Sequence, residues 1–298
     1  MIFNMLYSFG RFMALRLPLK VSYAAARILA DIHYVLYVRE RRVVIENLKV
    51  ILNRPSCDKE LKEIARDVFR NFAMYLVDFF RFSLIDGDYI KKFIRLDGMA
   101  NLEEALKKGR GAIMLSAHLG NWELGGYVLG KLGYPINAVV LTHKNKKVNR
   151  FFINQRFMGN FKSIEIGAGL RNCYRALKGN EMLALLGDRN FSNTGLLTEF
   201  FGKIALMPKG PAALALRTGA AIVPTYMVRE PNDKFALIFE RPIYPENGPD
   251  EEPAMERLMK RYLSSLEAAI RERPGQWYVF KNFWKKRDGK DNSPDTVI

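Results

Sequence analysis

The stretch Ala112-Ile113-Met114-Leu115-Ser116-Ala117-His118-Leu119-Gly120-Asn121-Trp122-Glu123 is the point from which the chain is best read. Its first six residues are apolar or small and have the length of a buried strand. The strand ends at a histidine, a Gly-Asn pair turns the chain, and helical periodicity then runs to about residue 132. Moving outward, the same grammar recurs. Strands are expected at residues 137–141, 163–166, 182–186, 221–227 and 235–239, and helices at 102–108, 148–158, 170–178, 209–218 and 253–271. Strands alternating with helices of this length imply an α/β fold: a central, mostly parallel sheet flanked by helices, with functional groups at the strands' carboxyl ends.

Upstream, residues 1–84 read as helical throughout. Periodic segments at 41–52 and 58–82 are separated by the breaker Asn53-Arg54-Pro55, and Asp58 is a good residue type to cap the second. The chain thus divides into an N-terminal helical, membrane-associating region (1–84), an α/β region (85–284) and a basic tail (285–298) expected to be frayed.

Hydrophobic residues make up 49% of the 298, enough for a sizeable core and too many for disorder. The net charge of +16 calls for an anionic partner such as acidic lipid headgroups, an acidic protein or nucleic acid. Two cysteines, Cys57 and Cys173, and three histidines, His33, His118 and His143, exclude a disulfide scaffold and a clustered metal site. The longest runs free of Asp, Glu, Lys and Arg, such as 111–122 and 132–143, fall well short of the roughly 20 residues a spanning helix needs. The start of the chain also lacks the basic-apolar-small order of a signal peptide.

Instead it is amphipathic. Ile2, Met5, Leu6, Phe9 and Met13 recur at helical spacing, as do Val21, Ala24, Ala25, Ile28, Leu29, Ile32 and Leu36. Four basic and no acidic side chains accompany them in the first thirty residues. An apolar face with a cationic edge suits a helix lying in the membrane interface, and packing onto the core is the alternative that periodicity leaves open.

A histidine at the end of a buried strand stands where α/β sheets place catalytic groups, although a hydrogen-bonded core histidine fits the position equally well. Glu123 lies five residues on. It would meet His118 only if the histidine sits on the strand end and the glutamate in the first helical turn. So arranged, Glu123 would orient the imidazole as a general base. Gly120 and Asn121 would bring backbone close to a substrate, and the helix start would offer N–H groups to an oxyanion. No Gly-x-Ser-x-Gly elbow is present, so direct attack by a substrate hydroxyl is favoured over an acyl-enzyme.

The stretch Ser116–Glu123 resembles the His-x4-Asp/Glu signature of the lysophospholipid acyltransferase superfamily, in the Gly-Asn-Trp-Glu form of its lipid A biosynthesis late acyltransferase branch. Further blocks run collinear with that branch: Glu46-Asn47-Leu48, Gly187-Asp188-Arg189, Thr198-Glu199-Phe200-Phe201-Gly202, Pro208-Lys209-Gly210-Pro211, Ala221-Ile222-Val223-Pro224 and Pro274-Gly275-Gln276-Trp277-Tyr278. The resemblance implies an O-acyltransferase with His118 as base and Glu123 as its orienting carboxylate. It implies a thioester of acyl carrier protein or coenzyme A as donor and no bound cofactor or metal. The acceptor would be a hydroxyl of a lipid A precursor or another membrane lipid at the cytoplasmic face of the inner membrane. Arg189 departs from the branch, where many members carry glutamine after the aspartate.

Six cations and no acid lie between Lys144 and Lys162, interleaved with Phe151, Phe152, Phe157 and Phe161. Within this run Arg156 matches an arginine frequent in the branch and is expected on phosphate or headgroup. Gly120, Asn121, Asp188 and Arg189 complete the expected substrate contacts, Arg189 having an internal pairing with Asp188 as its alternative. A nucleic-acid surface would show salt-dependent binding indifferent to His118, and no nucleic-acid motif accompanies the basic run. A non-catalytic lipid-binding relative would fail to release thiol from an acyl thioester.

Overall fold

The computed structural model describes residues 2–55, 58–142, 145–166, 169–190, 195–246 and 251–284. Cys57, His143, Lys144, part of the loop after Asn190 and the basic tail lie outside them. Four helices come first: α1 (Ile2–Arg16), α2 (Leu19–Leu36), α3 (Val38–Leu52) and α4 (Lys59–Phe80). Asp58 caps α4 as its residue type leads one to expect, its side chain accepting from the Glu60 amide at 2.9 Å. Leu61, Ala65, Val68, Phe69, Tyr75 and Phe79 form the buried stripe of α4, and Asn47 of α3 also ties this region to the rest by donating to Val279 O at 3.1 Å.

The α/β part begins with α5 (Gly87–Phe93), β1 (Ile94–Asp97) and α6 (Met99–Lys107), then β2 (Ala112–Ser116), α7 (Trp122–Lys131), β3 (Ile136–Val140) and α8 (Lys146–Met158). It continues through β4 (Lys162–Glu165), α9 (Leu170–Lys178), β5 (Met182–Leu186), the strands β6 (Gly195–Phe200) and β7 (Lys203–Pro208), and α10 (Gly210–Thr218). The strands β8 (Ala221–Arg229) and β9 (Phe235–Phe239) and the helix α11 (Glu251–Glu272) complete it. Seven strands form one sheet in the order β1-β9-β8-β2-β5-β3-β4. All neighbours are parallel except β8 and β9, which run antiparallel. The mostly parallel sheet expected from the sequence is therefore present. The short edge strand β1 and the separate antiparallel hairpin β6–β7 are additions to it.

Alternate residues of β2 enter opposite cores. Met114 packs with Leu124, Tyr127 and Val128 of α7 on one face, whereas Ile113 and Leu115 pack with Ala212 and Ala215 of α10 on the other. The helix after β2 thus covers one face, and the helix that follows β5 and the hairpin covers the other. Where helices leave neighbouring strands for opposite faces, α/β proteins bind ligands in the crevice outside the strands' carboxyl ends.

Candidate active site

The strand register places the site. Ser116 of β2 and Leu186 of β5 are parallel partners, so the residues two further along, His118 and Asp188, emerge side by side. The Gly187 amide donates to the Ser116 carbonyl at 2.8 Å and holds the strand ends together beyond the regular ladder. The ring Nδ1 of His118 lies 2.8 Å from Asp188 Oδ1. Asp188 Oδ2 accepts the His118 amide and the Trp277 indole N–H, both at 3.0 Å.

Asp188 is completely buried, and its partner keeps 14% of its side chain exposed. Burial pushes the Asp188 carboxyl up, but the neighbouring His118, its hydrogen bonds and Arg189 outweigh it and hold the group well below the ordinary carboxylate range. For His118, burial and the nearby Arg189 lower the pKa, and Asp188 only partly offsets them. A neutral imidazole donating Nδ1–H to an ionised aspartate carries its lone pair on Nε2, the protonation state a base needs.

The turn after His118 is fixed by backbone. Gly120 has φ of 64°, and a Cβ there would run into the Met227 carbonyl oxygen. Its N–H donates to Gln276 O at 2.9 Å, and the Asn121 N–H donates to Met227 O at 2.7 Å. The Asn121 side chain accepts from Leu124 N at 3.0 Å and caps α7. Three residues of the near-terminal Pro-Gly-Gln-Trp-Tyr block hold this turn and its neighbours. Gln276 holds Gly120, Trp277 holds Asp188, and the Tyr278 amide donates to His118 O at 2.8 Å. The Trp122 ring meets the His118 ring edge-on with centroids 5.1 Å apart and stacks on Tyr75 at 4.8 Å.

Several expected roles are redistributed. Glu123 is taken up by Arg156, whose Nε and Nη2 reach its two carboxylate oxygens, the former at 3.0 Å. The carboxylate on His118 Nδ1 is Asp188, which had been expected on substrate. The reason is geometric: a side chain in the first turn of α7 turns toward α8, whereas the end of β5 lies directly beside the end of β2. Both members of the Glu123–Arg156 pair are nearly buried, so Arg156 serves inside the fold instead of on a phosphate. Asn121, expected near substrate, is a buried cap that also donates to Asp78 at 3.0 Å. Arg189 donates to the Tyr278 carbonyl and braces the same block. His33 is hydrogen-bonded to Glu40 at 2.9 Å.

Asp78, Arg229 and Trp277 were not singled out in the sequence as site residues. Asp188 could have been read as the partner of His118 from one signal, since each lies two residues beyond an apolar run of equal length. The strand order that makes those two runs neighbours is not written in either.

The model of the bacterial lipid A biosynthesis acyltransferase family matches residues 2–286. A phosphatidylinositol mannoside acyltransferase of Mycolicibacterium smegmatis is 26% identical over 245 residues, covering 80% of this chain and 77% of that protein. The lipid A biosynthesis palmitoleoyltransferase of Escherichia coli is 25% identical over 257 residues, covering 86% and 82%. Among solved structures, the 1-acyl-sn-glycerophosphate acyltransferase of Thermotoga maritima aligns at a TM-score of 0.37 and 14% identity, covering 84% of this chain and 98% of its own. The chain belongs to the bacterial lipid A biosynthesis acyltransferase family and is an acyltransferase.

Proposed function

We propose that the protein moves a fatty acyl group from a thioester of acyl carrier protein or coenzyme A to a hydroxyl of a membrane glycolipid, either a lipid A precursor or a phosphatidylinositol mannoside. The observation that carries this reading is the His118 Nδ1–Asp188 hydrogen bond of 2.8 Å at the sheet crevice. In the reaction, His118 Nε2 takes the proton from the acceptor hydroxyl as its oxygen attacks the thioester carbonyl. The C–S bond breaks as the tetrahedral intermediate collapses, and the imidazolium returns its proton to the thiolate. Asp188 holds the ring's orientation and stabilises the transient imidazolium. The amides of Gly120, Asn121 and Leu124 are committed elsewhere, so the amides at the start of α7 that face the oxyanion narrow to Trp122 and Glu123. Glu123 acts through Arg156, fixing α7 against α8 beside the base.

The setting is a membrane surface. Val21, Ala24, Ala25, Ile28, Leu29, Ile32 and Leu36 all lie on the open side of α2, with Ile28, Leu29 and Leu36 61, 66 and 67% exposed. The opposite side, Tyr23, Ala26 and Ala30, is buried. One helix thus carries two apolar faces, one for the protein and one that suits the acyl boundary of a bilayer. No helix among the described residues is long and apolar enough to cross a membrane. The exposed cations Lys146, Lys147 and Arg150 at the start of α8 suit acidic headgroups or an acidic carrier protein.

Purified protein in detergent, incubated with acyl thioesters of both donor types and a panel of glycolipid and lysophospholipid acceptors, tests the reading by mass spectrometry. A glycolipid heavier by one acyl chain is expected. Acylation of lysophospholipid alone, or thioester consumed only to free fatty acid, contradicts it.

A further inference from the structure

A carboxylate outside the His118–Asp188 pair, Asp78 in the last turn of α4, is the centre of a second buried network. Its Oδ2 accepts from Asn121 Nδ2 at 3.0 Å and from Arg229 Nη2, while its Oδ1 accepts the Tyr23 hydroxyl of α2. The Arg229 guanidinium is held over the Tyr23 and Phe235 rings at 4.7 and 4.6 Å from their centroids.

These contacts close a ring. The Arg229 backbone N–H donates to Gln276 Oε1 at 2.9 Å, and Gln276 Nε2 donates back to Arg229 O at 2.8 Å. The Gln276 carbonyl accepts the Gly120 N–H, and Gly120 leads into Asn121, which returns to Asp78. The ring encloses the two residues between His118-Leu119 and the first turn of α7. A buried carboxylate is costly to keep, and an apolar replacement of such groups is often neutral or stabilising, so bulk stability is a poor account of it. Its geometry instead fixes the turn that sets the His118 main chain and the opening amides of α7.

We propose that Asp78 is a positioning residue for acyl transfer, holding the Gly120–Asn121 turn through Asn121 and Arg229 and tying that turn to the membrane-facing helix α2 through Tyr23. The inference rests on the reaction proposed above. Asp78→Asn keeps the shape but removes the negative charge opposite Arg229, and its N–H2 must face either the Tyr23 hydroxyl or the Asn121 and Arg229 donors. The reciprocal variant Asp78→Asn with Asn121→Asp restores the hydrogen bond with its polarity reversed and leaves an oxygen to cap Leu124.

The test measures single-turnover and steady-state transfer by full-length wild type, D78N, N121D and the double variant, per folded molecule and well below each unfolding midpoint. D78N is expected to lose about tenfold or more in kcat, with KM for donor and acceptor within about threefold. The position of the acid limb of the pH profile, set by His118 and Asp188, should stay unchanged. The double variant should recover most of the loss and exceed N121D alone. Wild-type kcat in folded D78N, with only its unfolding midpoint lowered, overturns the proposal. If D78N does not fold, a double variant no faster than N121D does the same. Absence of transfer by wild type in this assay counts against the reaction itself and not against Asp78.

Discussion

In the proposed reaction His118 acts as a base only while it is neutral, and the forces acting on it decide the pH range in which that holds. Burial and Arg189 press its pKa below the ordinary value of 6.5, with Asp188 pulling the other way. Protonation therefore removes the base only in acid. The kcat/KM profile should fall with unit slope toward low pH, with its midpoint below 6.5, and a midpoint above that value would contradict the assignment. Asp188→Asn leaves the ring in place but loses the preference for the productive tautomer, so kcat should drop by about two to four orders of magnitude. Glu123 is expected to behave differently. Glu123→Gln leaves Arg156 charged and nearly buried without its counter-ion, and should cost about 3–5 kcal/mol in urea unfolding. A Glu123→Gln protein of wild-type stability that is nonetheless inactive would return the catalytic carboxylate to that residue.

The two-faced α2 makes the clearest prediction among the elements. Leu29→Glu together with Ile32→Glu alters only exposed positions, so unfolding should change little. Flotation with anionic vesicles should weaken about tenfold or more, because in the proposed docking each substitution sets a charge where exposed apolar surface would meet the bilayer boundary. Unchanged flotation would remove α2 from the docking surface. The elements also show why some of the fold was legible in the sequence and some was not. The strands at 112–116 and 221–229 are buried along nearly their whole length, that at 182–186 is buried at its start, and all three read as mainly apolar runs. Asp58 and Asn121 announce their helices by residue type. The strand β1, four residues at the edge with only Ile94 buried, has no such run. The hairpin β6–β7 exposes Leu197, Ile204 and Leu206, so its apolar pattern does not mark an inside. Direction was illegible too, since nothing in Phe235–Phe239 states that β9 runs against β8. The same limit hid the partner of His118: the histidine was visible from its place at a strand end, but Asp188 is its neighbour through strand order alone.

On the scale of the whole molecule, distant parts of the chain converge on one turn. Asp78 reaches it from the N-terminal helices, Arg229 from the end of β8, and Gln276, Trp277 and Tyr278 from beyond α11. The family match likewise spans residues 2–286, whereas His118 and Asp188 lie within residues 118–188. The chain has a net charge of +16, and its attraction to anionic vesicles should decline between low salt and about 0.5 M salt as exposed charges are screened. The apolar share of binding through α2 should persist there. In the proposed reaction His118, oriented by Asp188, takes the proton of the acceptor hydroxyl. The most direct test of that step is single-turnover transfer from acyl thioester to glycolipid by His118→Asn, whose side-chain amide can still donate to Asp188. This variant should fold, bind vesicles as wild type does and transfer at least about a thousandfold more slowly. Transfer within about tenfold of wild type would contradict that step.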